Sequence, residues 1–478
     1  MMLTNEGALQ EEFSGNHFVE FFFKAGSIFS NPNKVSFYRN EESALSLFQK
    51  IWCIDKELSF KLLLWLRDCR GGAGNRSGFR DCLNWVSKNN PEWVIANITQ
   101  ISEVGRWDDL TVCFNTPVEK SAADTWAKAI EDKNVLAAKW CDRKMIPVKR
   151  ALKIAKEVDF RKLLSSIRQS HIVEHKLTFK KYDEIEYHTV PSIAMARYSN
   201  AFKKHDNERF DSFKTKVKSG EVKINTEVLF PHDCARTAHN GDDEIANLQF
   251  DNLPNYIDNT KERIIVIADT SGSMMCNVSG SIKALDVSMS LALYCSDKIN
   301  KDNPFHRKFI TFETESEFKD WNGMTFSEAL HELPDGRCGS TRIDKALNLI
   351  LSTAKFFKLS NDVMPTSLII VSDMQFSAGV ITDPTYHSWG YRTAKTEPLT
   401  PVKECLQKWT DAGYTPPKVI YWNTAGYTGA PDTAISNNIA MISGFSPAVL
   451  KNIFNGEDLS PIAVLNATLK KYTVTVPQ

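Results

Sequence analysis

Apolar positions follow two different periods along this chain. Between residues 41 and 213 they recur every three or four positions, as at Phe79, Cys82 and Val86, which predicts successive amphipathic helices. After Arg263, short unbroken apolar runs alternate with helical stretches, which predicts a parallel sheet whose strands are joined by helices. The predicted strands are residues 264–268, 308–312, 367–372, 418–422 and 440–443, and the predicted helices are residues 281–298, 344–357, 401–412, 447–454 and 461–470.

This change of period predicts two domains. Residues 1–220 form an all-α helical-repeat module, because short helices joined by tight turns are what a solenoid requires. Residues 221–260 are rich in Asp, Asn, Gly and Pro and are interpreted as an inter-domain connection. Residues 261–478 form an α/β Rossmann-like domain.

Composition restricts the class of protein further. The chain has 478 residues, with 42% hydrophobic and 24% charged residues, as in ordinary globular proteins. Its ten cysteines contain no C-x-x-C pair, so we expect reduced thiols in a cytoplasmic protein. The polar start is unlike a secretory signal, and we expect no membrane-spanning segment.

The predicted strand at residues 264–268 leads directly into a set of oxygen-bearing side chains. Asp269, Ser271 and Ser273 follow it, at the strand end where open α/β sheets place their ligands. Thr341 precedes a predicted helix, and Asp373 follows the strand at residues 367–372. Carboxylates and hydroxyls without sulfur or imidazole suit a hard divalent cation, and we expect Mg²⁺.

This pattern has other interpretations. Asp and Ser after a strand also favour turns and helix caps without binding metal. Aspartyl phosphatases place a nucleophilic Asp after their first strand and a second Asp two residues later, where this chain has Ser271. No G-x-S-x-G, H-E-x-x-H or Walker-type pattern was found either. We therefore expect a protein that is not an enzyme.

Residues 141–223 are basic in a chain whose formal net charge is +0. They contain 20 Lys and Arg against 11 Asp and Glu, with Phe179, Tyr182, Tyr198 and Phe202 interleaved. Such a stretch can bind RNA phosphates and stack bases, but charged helix faces are usually only solvated and aromatic residues are usually core. The candidate RNA-binding residues are Arg70, Arg76, Lys144, Lys149, Arg150, Lys153, Arg161, Arg168, Lys180, Lys181, Lys203 and Lys204. Alternatively, the arginines near Gly71 pair with Asp68, Asp81 and helix ends.

Several passages resemble a domain family of unknown function that is similar to the Ro ribonucleoproteins. They include residues 66–72, 183–185, 191–202, 230–232, 269–274, 372–376 and 443–447. The resemblance implies a TROVE-like module of HEAT-like repeats at residues 1–220 and a von Willebrand factor A-like domain at residues 261–478. It also implies that Asp269, Ser271, Ser273, Thr341 and Asp373 correspond to the metal-ion-dependent adhesion site of such domains.

In Ro proteins the helical ring binds structured small RNA on its basic outer surface and single-stranded ends in its central hole. The resemblance therefore implies a non-catalytic RNA-binding protein that takes small or misfolded RNA, with a divalent-metal site for partner recognition. The alternative is a protein-interaction scaffold in which the metal site captures an acidic protein ligand without RNA.

Overall fold

A computed structural model of the chain describes residues 2–3, 8–10, 15–28, 43–168, 172–257, 260–279, 282–332, 339–377, 400–426, 431–433, 437–455 and 458–478. It divides into two compact units. The α/β unit contains Met1–Ile51, Pro231–Arg236 and Asn255–Thr468, and the helical unit contains Trp52–Phe230, Thr237–Pro254 and Leu469–Gln478. The chain thus enters each unit more than once, which the division at residues 220 and 260 did not anticipate.

The secondary structure of the described residues is as follows. The strands are β1 Met2–Leu3, β2 Leu9–Gln10, β3 Ile264–Asp269, β4 Asn277–Ser279, β5 Ile282–Lys283, β6 Lys308–Phe312, β7 Ser316–Asp320, β8 Ser367–Ser372, β9 Lys418–Asn423 and β10 Ile439–Ser443. The helices are α1 His17–Lys24, α2 Ala44–Trp52, α3 Lys56–Arg67, α4 Arg76–Asn89, α5 Pro91–Ala96, α6 Ile98–Val104, α7 Glu119–Glu131, α8 Val135–Trp140, α9 Ile146–Ala151, α10 Glu157–Arg168, α11 Val173–Thr178, α12 Ser192–His205, α13 Asn207–Lys218, α14 Pro231–His239, α15 Asp243–Asp251, α16 Ala284–Lys298, α17 Phe326–Glu332, α18 Ile343–Phe356, α19 Pro401–Asp411, α20 Val449–Asn455 and α21 Pro461–Leu469. Short 3₁₀ turns include Trp107–Cys113 and Gly272–Met275.

The α/β unit is built on a six-stranded sheet in the order β10-β9-β8-β3-β6-β7. The first five strands are parallel, and β7 pairs antiparallel with β6. Every residue of β3 and β8 is buried, as expected for central strands of a sheet that is covered on both faces. The five predicted strands are therefore confirmed, whereas the polar edge strand β7 was not predicted.

The segment around α1 lies in the α/β unit, although the sequence interpretation placed it with the helical module. The side chains of Phe21, Phe22 and Phe23 are fully buried, and the Ser443 hydroxyl at the end of β10 donates to the Phe22 carbonyl at 2.6 Å. The Ser27 hydroxyl donates to the Asn423 carbonyl at the end of β9, also at 2.6 Å. Burial of three aromatic rings explains why this segment packs beside the sheet edge.

The helical unit follows from local signals in the sequence. The Asp55 carboxylate accepts a bond from the Leu58 amide at 2.9 Å and caps α3, and Asn75 caps α4 through the Gly78 amide at 2.9 Å. Between these helices Gly74 adopts a φ of +72°, and a Cβ there would lie 2.7 Å from the Phe230 ring. Helix α3 ends at Arg67, before the glycines, and the left-handed conformation of Gly74 belongs to the turn that leads into α4.

The predicted connection at residues 221–260 is mostly helical. It contains α14 and α15, and Leu248 and Phe250 are buried. Asp242 caps α15 by accepting the Ile245 amide at 3.3 Å. The turn-forming composition therefore reflects helix caps and short turns as well as linkers. Within the described residues, no helix is both long enough and apolar enough to cross a bilayer.

Candidate metal site and nucleic-acid interface

Two predicted metal ligands lie at the carboxyl ends of neighbouring central strands. Ala268 of β3 is in register with Val371 of β8, so Asp269 lies beside Ser372, and Asp373 follows immediately. The Ser372 hydroxyl donates to Asp269 Oδ2 at 2.5 Å. Both carboxylates are fully buried. The parallel pairing of β3 and β8 thus brings two acidic side chains to one end of the sheet.

The turn after β3 supplies two hydroxyls beside these acids. The Ser271 amide donates to Asp269 Oδ1 at 2.9 Å, which fixes the carboxylate against the turn. The hydroxyl oxygens of Ser271 and Ser273 are 3.1 Å apart. Ser271 is fully buried and Ser273 is half-buried. Two hydroxyl oxygens therefore converge next to a carboxylate in the manner that a hard cation requires.

Thr341 is held between the loops that follow the strands on either side of β3. Its amide donates to the Ser377 hydroxyl, and the Ser377 amide donates back to the Thr341 carbonyl, both at 2.8 Å. The next amide, of Arg342, donates to the Glu313 carbonyl after β6 at 3.1 Å. The three loops that carry Asp269, Thr341 and Asp373 therefore meet at one end of the sheet. We call these residues, with Ser271 and Ser273, the strand-end site.

The electrostatics of the strand-end site test whether a cation fits. Burial, and then the nearby charge of Asp373, raise the pKa of Asp269 to about 8. Asp373 Oδ1 accepts the Gln375 amide at 3.0 Å. Two buried carboxylates of like charge are unfavourable unless a proton or a cation compensates them. In the described part of the chain no group of three or more His, Cys, Asp or Glu could hold a metal. The carboxylate and hydroxyl oxygens of the strand-end site are of the kind that Mg²⁺ prefers as ligands.

Two positioning residues were missed from the sequence. Ser372 donates to Asp269 through its hydroxyl, and Ser377 clamps the main chain of Thr341. Ser372 had a visible signal, because it is a polar residue at the end of an apolar strand, directly before Asp373. Ser377 had none, because its role depends on where the loop after β8 runs.

The candidate RNA-binding residues fall into two groups in the helical unit. Five are engaged: Lys181 with Glu184 at 2.6 Å, Lys203 with Asp242 at 3.0 Å, Arg76 with acids, and Arg70 and Arg168 with main-chain carbonyls. The side chains of the other seven make no ion pair or hydrogen bond within the described residues. These are Lys144, Lys149, Arg150, Lys153, Arg161, Lys180 and Lys204. These seven side chains therefore carry positive charge with no bonded partner in the described structure, while Arg70 and Arg168 are bonded to neutral carbonyls and make no ion pair there.

The arginines near Gly71 form a charge network, as the alternative interpretation held, but with different acids. Arg67 and Arg80 bind Asp109 at 2.7 Å each. Burial opposes ionisation of Asp109, but these guanidiniums outweigh it and lower the pKa of the carboxyl. Arg76 contacts Asp108, and its Nε lies 3.6 Å from Asp109. These guanidiniums therefore hold α3 and α4 against the 3₁₀ turn at Trp107–Cys113.

Asp68, which the sequence offered as a partner for these arginines, binds the end of the chain instead. It accepts the Lys471 ammonium at 2.7 Å and the Tyr472 hydroxyl at 2.8 Å. The Asn97 side chain exchanges hydrogen bonds with the main chain of Thr475 at 2.9 and 2.8 Å. The last residues of the chain are thus bound to the helical unit.

The aromatic residues proposed to stack bases are mostly core. Phe202 is fully buried in a cluster with Tyr187, Phe210 and Phe213, and Tyr182 and Tyr198 pack against that cluster. Of the four interleaved aromatic residues, only Phe179 is well exposed, at 61%. Their helical spacing therefore reflects packing, and stacking by Phe202 is excluded.

A groove lies between the carboxyl end of α8 and one face of α10. It has a volume of about 470 Å³, and its lining includes Lys139, Trp140, Arg143, Arg161, Leu164 and Arg168. We call it the Trp140 groove. Two candidate residues, Arg161 and Arg168, therefore come together there, and the sequence interpretation did not identify Trp140.

These features define a class of protein: a helical part followed by an α/β part that carries a buried site of two carboxylates and nearby hydroxyls. The chain belongs to the family described as "Domain of unknown function (DUF2828)", which matches residues 4–115 and 123–270. A second model, "Domain of unknown function (DUF7788)", matches residues 263–470. The predicted membership of a family of unknown function is therefore confirmed.

Two individual proteins are similar to this chain. "Uncharacterized protein L728" of Acanthamoeba polyphaga mimivirus is 24% identical over 540 residues, covering 99% of this chain and 88% of the relative. Among solved structures, the crystal structure of the Deinococcus radiodurans RO (RSR) protein matches with a TM-score of 0.39 and 12% identity. That match covers 96% of this chain and 100% of the other.

Proposed function

We propose that this chain is a non-catalytic RNA-binding protein of the Ro type, which takes small or misfolded RNA through a HEAT-like helical module. The observation that carries the proposal is the set of seven lysines and arginines without an ionic partner in the described structure. Six of them are exposed, and Lys149 is half-buried. Cations that are not balanced within the protein are available to phosphates, which release counterions when they bind.

The second part of the proposal concerns the α/β unit, which we infer to be von Willebrand factor A-like. Ser271, Ser273 and Thr341 would hold Mg²⁺ through their hydroxyls, with Asp269 and Asp373 binding directly or through water. The bound cation would supply a positive centre that an anionic oxygen of a ligand can complete. The buried pair of carboxylates supports this assignment, because a cation relieves their repulsion.

RNA binding by the full-length protein tests the first part. We expect a mixed-sequence RNA to bind in a fluorescence-anisotropy titration, with an affinity that falls as salt rises from about 50 to 200 mM. The logarithmic slope counts the phosphates engaged, at about 0.7 per contact for single strands. Absence of binding even at the lower salt concentration would contradict the proposed function.

Calorimetric titration with MgCl₂ tests the second part. The full-length protein should bind one Mg²⁺, and the Asp373→Ala variant should not. Loss of binding in this variant together with an unchanged melting profile would locate the cation at the strand-end site. Equal binding by both proteins would contradict the assignment.

A further inference from the structure

The Trp140 groove carries positive charge that the protein itself does not neutralise. Four cations and one acid, Asp142, line it. Lys139 pairs with Glu174 at 2.9 Å, and Arg143 lies 3.8 Å from Glu157. The remaining two cations, Arg161 and Arg168, make no ion pair within the described residues. An anion is therefore the ligand that the groove favours.

Helix α10 and the end of α8 hold these cations in place. Arg161, Leu164 and Arg168 have spacings of three and four residues, which places them on one helical face. Arg168 Nε donates to the Ala138 carbonyl at 2.8 Å, and its terminal nitrogen donates to the Cys141 carbonyl at 2.6 Å. These bonds satisfy carbonyls at the end of α8, and the only carboxylate whose charge acts on this guanidinium among the described residues, Asp142, forms no ion pair with it. Arg168 is thus a fixed cation in the lining of the groove.

Trp140 adds an aromatic surface to this charged groove. The indole is half-buried, and the Arg106 guanidinium lies over it at 4.4 Å from the ring centre. An aromatic ring together with cations matches the two parts of a nucleotide, because a base stacks on the ring and a phosphate binds the cations. A phosphate alone would not need the ring.

A groove of similar size in the α/β unit lacks this combination of an aromatic ring with cations that make no ion pair. That cavity has a volume of about 440 Å³ and is lined by Glu315, Arg342, Asp344 and Lys345 among others, with no aromatic residue. Arg342 binds Asp344 at 2.7 Å, and Lys345 contacts Glu315, so its charges are largely matched in pairs. Of these two grooves, the Trp140 groove is the one that joins cations without ion pairs to an aromatic ring.

We propose that the Trp140 groove is a subsite for one nucleotide of single-stranded RNA, with the base stacked on Trp140 and its phosphate bound by Arg161 and Arg168. This inference rests on the proposed RNA-binding function and specifies where the strand binds. A duplex does not fill the subsite, because its bases are already stacked inside the helix.

Substitutions at Trp140 in the full-length protein test the inference with a labelled single-stranded uridine oligonucleotide. Trp140→Leu keeps apolar bulk but removes the stacking ring, and should weaken binding about 5- to 100-fold without changing the salt slope. Trp140→Phe keeps a ring and should restore most of the affinity. Trp85→Leu is the matched control, because Trp85 is also half-buried in the helical unit but does not line the groove.

The charge is tested separately. Arg161→Gln should weaken binding and lower the salt slope by about 0.7, the value for one phosphate contact. Lys88→Gln removes the same charge from an exposed position outside the basic stretch and should change neither quantity. Melting temperatures of all variants identify any that fail to fold.

The outcomes separate the two proposals. Normal single-strand affinity in both Trp140→Leu and Arg161→Gln would overturn the subsite and leave the proposed function standing. An equal loss of affinity for duplex RNA in Trp140→Leu would also overturn it, because stacking needs a free base. Failure of the unsubstituted protein to bind any RNA would overturn both proposals. A loss confined to single strands, rescued by Phe, supports the subsite.

Discussion

The strand-end site and the Trp140 groove differ in how their side chains are held. Asp269 and Asp373 are fully buried and bonded to nearby main-chain amides. The side chain of Arg161, in contrast, is exposed and makes no ion pair or hydrogen bond within the described residues, while that of Arg168 is held by two main-chain carbonyls. The sheet thus concentrates negative charge where water is excluded, and the helices leave positive charge open to solvent. We expect the first to need a small cation and the second to bind an extended anion.

The same contrast exists inside the helical unit. Arg67 and Arg76, which lie on either side of the glycines at residues 71–74, are both paired with acids. Arg67 binds Asp109 and Arg76 binds Asp108. Arg161, seven residues before Arg168, has no such acid. Arg76 and Arg161 are both helical arginines in sequence, but Arg76 stabilises the packing of the helical unit whereas Arg161 is available to a ligand.

The largest expected effect is on the stability of the arginine network. Asp109→Ala leaves the buried Arg67 guanidinium without its carboxylate and should cost about 3–5 kcal/mol of unfolding free energy. Urea unfolding of the full-length protein measures this. Asp124→Ala is the control, because Asp124 forms an exposed pair with Lys120 and should cost less than about 1 kcal/mol. Similar losses in both variants would show that Asp109 is not the centre of a buried network.

The strand-end site should respond next most strongly, through its affinity for Mg²⁺. Asp269→Ala should weaken binding by about 100-fold or more, and Ser372→Ala, which removes only the hydroxyl bonded to Asp269, by about 10-fold. Calorimetry measures both. Asp362→Ala changes an exposed carboxylate of the same unit and should have no effect. If Ser372→Ala matched Asp362→Ala, Ser372 would have no positioning role.

A comparison of two arginines sharpens the division within the helical unit. Arg76→Gln should lower the unfolding free energy by about 1 kcal/mol and leave RNA affinity within about twofold, because its guanidinium already binds acids. Arg161→Gln should show the opposite pattern. Fluorescence anisotropy measures the RNA affinity and urea unfolding measures the unfolding free energy, both on the same preparations. A loss of RNA affinity in Arg76→Gln would contradict this division and show that Arg76 contributes to RNA binding.

The last expected effect is a pH dependence of stability in the protein without divalent metal. The pKa of Asp269 rises from an ordinary 3.8 to about 8, so the folded state holds this proton more tightly than the unfolded state. This contribution is present below about pH 4 and is lost as pH rises through about 8. The melting temperature should therefore fall across that window, and Mg²⁺ should reduce the fall. Asp269→Asn should remove this part of the pH dependence, and an unchanged profile in that variant would contradict the assignment.

The sequence by itself determined the elements of the sheet and which residues follow the strands. Apolar runs such as that of β3 have the length and β-branched content of buried strands, and their period is readable locally. The ends of parallel strands meet at one edge, so Asp269 and Asp373 could be expected near each other before any coordinates were known. The polar strand β7 lacked that apolar signal, since it lies at the sheet edge with much of its surface exposed.

Only the tertiary structure decided which charges were neutralised and which rings were buried. The partners Arg67 and Asp109 are 42 residues apart, and no local pattern relates them. Phe202 lies in a helix of the basic stretch and Trp140 in the helix just before that stretch, yet Phe202 is core and Trp140 lines a groove. Periodicity reports on a few helical turns, whereas ion pairing and burial depend on how helices from distant parts of the chain pack together.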